Sequence, residues 1–250
     1  MSEHILSSLD NGVLTLRLSR PDKKNAITIA MYAALADALT QAAEDDAIRA
    51  VALLGDGDIF TAGNDLADFM AAPPVGADQP VYHFLTALNA FPKFIVAGVH
   101  GRAVGIGTTM LLHCDMVVAA EGTVFSMPFI DLGLVPEAAS SLLFPRLAGP
   151  QRAAKHLILG EPFSADEALG FGLVSEIVPV SAVAERTAAI AACAAAKPQE
   201  AVRIAKAFIR DTGGSVQDRI EAEGLAFAQR LRSPEAMQAF QAFFNKKTAA

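Results

Sequence analysis

Twice along this chain a buried-type apolar run ends in a glycine-bearing turn that opens a helical stretch. The first run is IRAVALLG, leading into GDGDIFTAGNDL; the second is KFIVAGVHG, leading into GRAVGIGTTM. Such runs, bounded by turn residues, read as strands packed inside the protein rather than half-solvated ones. A chain with two of them, each feeding a helix, is committed to layers of helix and strand around one core.

The other segments agree with that commitment. GVLTLRLSRP (Gly12–Pro21) alternates, with Leu14, Leu16 and Leu18 on one side and Val13, Thr15 and Arg17 on the other, a strand closed by Pro21. IAMYAALADALTQAAEDD sets Met31, Leu35, Leu39 and Ala42 on one helical stripe. Another helix is expected over VYHFLTALNAF, further strands over CDMVVAA and TVFSM, and a loop or lid from Ala71 to Pro80. Ser164 and Glu167 have capping-box spacing before a short helix. After Pro179 no strand pattern remains, and the last predicted helix opens with Ser233 as cap and Pro234 in its first turn. The fold class is therefore α/β, with a mixed core over residues 1–180 and a helical region over 181–250.

Composition narrows the function. The chain has 250 residues, 52% apolar and 19% charged, with a formal net charge of −7. That balance argues against nucleic acid as a partner, which needs clustered Lys and Arg, but leaves a small anionic ligand open. Cys114 and Cys193 have no metal-type spacing, and no stretch has the length of a membrane span or the pattern of a secretory signal. The expectation is a reduced, cytoplasmic protein with no metal and no membrane partner.

Small residues in FTAGNDL and GRAVGIGTTM leave main-chain N–H groups open to a ligand oxygen. A dinucleotide loop is the rival for the second turn, but the third glycine position holds Met110, and no Gly-Lys-Ser/Thr occurs. Two N–H groups aimed at one oxygen form an oxyanion hole, where one donor is worth about 3–4 kcal/mol. A third stretch, LGLVPEAASS, sets Glu137 after Pro136 and before four small residues. This is either an ordinary helix start or a carboxylate held for chemistry. Two donors and one carboxylate would suit proton abstraction next to a carbonyl. His100 and His113 lack a nucleophile elbow beside them and read as structural.

RPDKKNAI, FTAGNDL, GRAVGIGTTMLLHCDMVVA, FSMPFIDLGLVPEAASSLLFPRLAG and GEPFSADEALGFGLVSEIVP, in this order, resemble the enoyl-CoA hydratase/isomerase (crotonase) superfamily. The resemblance implies a crotonase-like spiral of ββα units with a C-terminal helical region, assembling as a homotrimer or dimer of trimers. It implies an acyl-CoA thioester as partner, with coenzyme A part of the substrate and no separate cofactor. By motif match it gives the oxyanion donors to the main-chain N–H groups of Ala62 and Ile106. It places coenzyme A around Lys24, Asn25, Ala26, Asp65 and Leu66, with Lys23 adding local positive charge, and Phe129 at the substrate. Two tail residues, Phe244 and Lys247, are suggested as reaching a neighbouring subunit's coenzyme A.

Two departures from the hydratase pattern are informative. The positions of the two hydratase glutamates hold Thr109 and Phe129, neither of which shuttles protons at neutral pH. Glu137 instead resembles the acid/base carboxylate of Δ3,Δ2-enoyl-CoA isomerases, and an apolar setting of Phe129, Leu134 and Val135 is expected to raise its pKa. Asp131 is a secondary acid candidate. The expected activity is double-bond isomerisation. The alternatives are a hydratase-type reaction, dehalogenation or thioester hydrolysis, and a non-catalytic acyl-CoA binder.

Overall fold

The structure, a computed structural model, describes residues 2–73 and 76–248, with side chains followed through residue 242. Two compact units divide the chain, one ending at Ala195 and the other beginning at Ala196. The first unit opens with β1 (Ile5–Asp10), β2 (Val13–Leu18), α1 (Ile29–Glu44), β3 (Ala50–Gly55), α2 (Leu66–Ala71) and α3 (Pro80–Ala90). It continues through β4 (Phe94–Val99), β5 (Arg102–Val104), α4 (Ile106–Thr109), β6 (Met116–Ala120) and β7 (Val124–Ser126). It closes with α5 (Ser140–Ala148), α6 (Pro150–Leu157), β8 (Phe163–Ser164), α7 (Ala165–Gly170), β9 (Glu176–Val178) and α8 (Val183–Ala195).

Six strands form one sheet in the order β1-β2-β3-β4-β6-β9, antiparallel at β1–β2 and parallel elsewhere. A smaller sheet has the order β5-β7-β8. Twice the chain passes a strand to the large sheet, a short strand to the small one, then a helix: β4–β5–α4 and β6–β7–α5. This is the ββα spiral that the motifs led us to expect.

Parallel strands bury both faces, and the core divides accordingly. On one face Leu14, Leu16, Val51, Leu53, Ile95 and Ala97 pack with α1 and α3. On the other, Val13, Ala50, Ala52, Val96 and Val118 meet Ile190, Ala191 and Ala195 of α8. Helix α1 is capped by Thr28, whose Oγ1 accepts from Met31 N at 3.3 Å, and buries Met31, Tyr32, Leu35, Ala36, Leu39 and Ala42. Each large side chain so buried is worth roughly 1.5–3 kcal/mol, an upper figure because the unfolded chain is itself partly collapsed.

Helix α8 corrects the expected domain boundary. The second sheet face needs a cover, and α8 supplies it closely enough that a Cβ on Gly98 of β4 would lie 2.3 Å from Thr187 Oγ1. The mixed unit therefore ends at Ala195 rather than at residue 180.

The second unit comprises α9 (Gln199–Arg210), α10 (Val216–Leu231) and α11 (Pro234–Thr248). Ser215 and Asp218 form a capping box on α10, and Ser233 Oγ accepts from Ala236 N at 3.1 Å to open α11. Arg219 ties the α9–α10 turn through Asp211 O at 2.6 Å and Asp211 Oδ2 at 2.9 Å. Among the described residues of this unit only Lys206 is buried; Ile209, Val216, Ile220, Leu225 and Phe227 are exposed.

Candidate active site

The two glycine-bearing turns lie side by side. Thr61 N donates to Arg102 O at 3.2 Å and Val104 N to Thr61 O at 3.1 Å, so the first turn runs along β5 into the second. Gly63, at φ +89°, is what allows this approach, because a Cβ there would stand 2.7 Å from Val104 O.

Following each N–H of the first turn identifies its open donor. Ala62 N donates to Lys24 O at 2.9 Å, Gly63 N to Thr61 Oγ1 at 3.0 Å, and Asp65 N to Ile27 O at 2.9 Å. Only Asn64 of these four residues leaves its N–H without an acceptor among the described residues. The expected donor Ala62 is thus corrected to Asn64, since the Ala62 amide is already spent on the Lys24 carbonyl.

In the second turn Gly105 takes φ 56°, ψ −119° and starts α4, with its own N bonded to Ser126 O at 2.9 Å. Thr108 N and Thr109 N both return to Gly105 O, while the Ile106 N–H has no acceptor among the described residues. Ile106 is fully buried and its branched side chain belongs to the core, so what the residue leaves unpaired is its main-chain N–H. The ring of Phe129, itself buried, closes over this turn: a Cβ on Gly105 would lie 3.8 Å from Phe129 Cε1.

Glu137 sits on a corner, not in a helix start. Helix α5 begins only at Ser140, and Ala138 and Ala139 hold left-handed φ values of 53° and 55°. Consecutive left-handed alanines are costly, about 1–2 kcal/mol each, and need outside support. Ser140 Oγ donates to Glu137 O at 2.7 Å, and His113 Nε2 lies 2.9 Å from Ala138 O.

The corner delivers the carboxylate to α4, where Glu137 Oε1 accepts from Thr109 Oγ1 at 2.5 Å. Thr109 and Ile106 are three residues apart on one helical turn, about 4.5 Å along its axis, so donor and carboxylate share a short rigid mount. Burial raises the Glu137 pKa from 4.5 to about 7, with the Thr109 hydrogen bond pulling the other way. No second acid contributes to that shift. The desolvation does not come from Leu134 and Val135, which are 51% and 75% exposed and point outward. The carboxylate is instead bonded to α4, where Ile106, Thr108 and Thr109 are buried.

Tyr32 is a site residue that the sequence reading passed over. It is fully buried on the apolar stripe of α1, its ring 6.1 Å from Phe69 and 5.5 Å from Phe84. Its hydroxyl donates to Asn64 Oδ1 at 2.5 Å, and burial, then the nearby Glu137 charge, pushes the phenol well up. A tyrosine among Met31, Leu35 and Leu39 was itself the signal, because a buried phenol has to find a partner.

Of the residues expected around coenzyme A, two are bound to the chain instead. The Asn25 side chain is wholly buried; Oδ1 accepts from Arg20 N at 2.8 Å and Nδ2 donates to Asp56 O, Ile59 O and Phe60 O at 2.7, 3.0 and 3.1 Å. Asp65 caps α2 through Ala67 N and Asp68 N and pairs with Arg20 at 2.7 Å, which holds its carboxyl below the usual range. The carbonyl of Ala26 is bonded by Arg20 at 3.1 Å, whereas the side chains of Lys24 and Leu66 are exposed and free to meet a ligand.

The remaining candidates are structural or lie elsewhere. His100 Nε2 bonds Gly57 O at 2.9 Å, and exposed Asp131 lies against Gly160. Neither Cys114 nor Cys193 is in a disulfide; Cys114 Sγ donates to Met110 O at 3.8 Å and Cys193 is exposed. Phe244 and Lys247 fall outside the residues whose side chains are described. The expected 71–80 loop is shortened by α2 and α3, which take Ala71 and Pro80, and residues 74 and 75 lie outside the described chain. Among the described residues no helix is long and apolar enough to cross a membrane.

The family model described as enoyl-CoA hydratase/isomerase matches residues 8–250. Enoyl-CoA delta isomerase 2 of Homo sapiens is 35% identical over 98% of this chain, which spans 64% of that relative's length. The 2,3-dehydroadipyl-CoA hydratase of Escherichia coli (strain K12) is 31% identical over 99% of this chain and 98% of its own. A solved enoyl-CoA hydratase/isomerase from Pseudoalteromonas atlantica T6c superposes with a TM-score of 0.81 at 42% identity, covering 98% of each chain.

Proposed function

The chain belongs to the enoyl-CoA hydratase/isomerase family, and within it we propose that this protein moves the double bond of a 3-enoyl-CoA to the 2-position, with Glu137 carrying the proton. The observation that carries the reading is one carboxylate of raised pKa, bonded to Thr109, beside two main-chain N–H groups left free at Asn64 and Ile106.

Glu137 takes a proton from C2, and the electrons of that C–H bond move into a dienolate whose oxygen the Asn64 and Ile106 N–H groups hold. The protonated Glu137 then returns the proton at C4, leaving the double bond between C2 and C3. One group serves both steps, so its pKa belongs near the working pH, where burial places it. Coenzyme A enters as part of the substrate and no other cofactor takes part.

Hydration is disfavoured because a nucleophilic water needs its own base, and the flanking positions hold Thr109 and the apolar ring of Phe129. The exposed apolar residues of α9 and α10 support self-association, expected as a trimer, which light scattering of the purified protein would measure.

The deciding experiment offers 3-enoyl-CoA and 2-enoyl-CoA separately to wild type and to Glu137→Gln. Conversion of the first to the second by wild type, lost in the variant, is expected. Rapid hydration of 2-enoyl-CoA that survives Glu137→Gln would overturn the reading.

A further inference from the structure

We propose that Asn64 offers the bound acyl-CoA a side-chain donor beside its main-chain N–H, and that Tyr32 is the positioning residue that aims it. The proposal rests on the enolate chemistry assigned above, and it concerns a pair that this chemistry does not by itself require.

An asparagine amide is planar, with its oxygen and nitrogen at opposite edges. In Asn64 the oxygen is held by the Tyr32 hydroxyl at 2.5 Å. Tyr32 has no accessible surface and is set against Phe69 and Phe84, so the oxygen edge faces the core. Asn64 itself is half-buried, and its Nδ2 has no hydrogen-bond partner among the described residues. With the oxygen edge turned inward, the NH2 edge faces the open side of the turn. The same residue carries the unsatisfied main-chain N–H. Asn64 thus carries two donors, both without acceptors among the described residues, available to a substrate oxygen as C2 loses its proton.

The hydroxyl is the informative part of Tyr32. Its ring fills space among aromatic neighbours, a task that phenylalanine would perform equally, so among the described residues the oxygen answers to Asn64 alone. Burial and the Glu137 charge keep the phenol protonated, so Tyr32 stays a donor and the amide keeps one orientation while Glu137 changes its charge. An amide held in place before the substrate arrives loses no reorganisation when the enolate forms.

Tyr32→Phe, Asn64→Ala and the double variant test this, since each keeps the ring or the main-chain N–H. The first readout is kcat and KM on 3-enoyl-CoA. The second is the enolate absorption of bound acetoacetyl-CoA, which reports the oxyanion donors without turnover. Tyr32→Phe is expected to lower kcat about tenfold, less than removal of a complete oxyanion donor, with KM changed less than about twofold. Asn64→Ala is expected to lose at least as much, and the double variant no more than Asn64→Ala, because Tyr32 acts through Asn64. The enolate signal should fall in both single variants.

Tyr32→Phe with kcat within about twofold of wild type would overturn the proposal, as would losses that multiply in the double variant. If wild type fails to isomerise 3-enoyl-CoA, the proposed function falls while the acetoacetyl-CoA signal still decides here. An equal enolate signal in wild type and Tyr32→Phe then refutes the role of the pair.

Discussion

Replacing Glu137 with glutamine is expected to stabilise the protein at alkaline pH while removing the proposed proton carrier. Burial lifts the carboxyl from 4.5 to about 7, so the ionised form is disfavoured in the folded state by about 2.5 pH units, or roughly 3 kcal/mol. Glu137 keeps some solvent contact, which makes that figure a ceiling. The sign follows from proton counting. Between 4.5 and about 7 the folded state holds more protons than the unfolded one. The contribution of Glu137 is therefore intact below 4.5 and is lost as pH rises through about 7. Glutamine is neutral throughout and keeps an oxygen to accept from Thr109. Urea unfolding of both proteins across a pH series isolates the effect, because every other titrating group cancels in the difference. The advantage of Glu137→Gln should grow by roughly 2–3 kcal/mol between about pH 5 and pH 8.5. A difference that stays constant with pH, or that grows toward acid, would refute the assignment of a buried, desolvated carboxyl.

Three further outcomes follow from the same geometry. Thr109→Val removes the hydroxyl that holds the Glu137 pKa down, so the acid limb of the kcat/KM profile should move to pH values above 7; an unmoved limb would count against the contact. Gly63→Ala sets a Cβ 2.7 Å from Val104 O at φ +89°, and should cost about 1–3 kcal/mol in urea unfolding and about 100-fold in kcat/KM by prising the turns apart. Ala139→Val acts at an exposed position with φ 55°, so its expected loss of about 1–2 kcal/mol in thermal unfolding isolates backbone strain from packing; Ala139→Gly should show no such loss.

Local chemistry was legible in the sequence wherever neighbours in the chain are neighbours in space. The Ser164–Glu167 capping box, the α1 stripe and the cap at Ser233 involve residues three or four apart, and all appear in the structure. Strand β1 carries no alternating pattern because ILSSLD is half polar and almost wholly exposed, and it pairs only at the sheet edge. The donor of the first turn was misread by two residues for a different reason. Whether the Ala62 or the Asn64 N–H is free depends on the Lys24 carbonyl, which arrives from far along the chain. Asn25 shows the same limit, since its three acceptors all lie in residues 56–60. Pro136–Glu137 matched a helix start in every local respect. The corner exists because Ala138 and Ala139 take a conformation that composition disfavours and that distant His113 helps hold.

That the free donors are main-chain atoms has a consequence for how this scaffold drifts. An N–H survives almost any substitution at its own residue, as Ile106 illustrates by burying a branched side chain while its N–H stays unpaired among the described residues. The carboxylate has no such immunity, because it exists only where a codon specifies it. Sequence change can therefore add, delete or relocate acids around a fixed electrophile-binding frame one position at a time. Relatives at 35% and 31% identity to this chain carry different reactions in their names, so overall identity is a poor guide to which reaction a member performs.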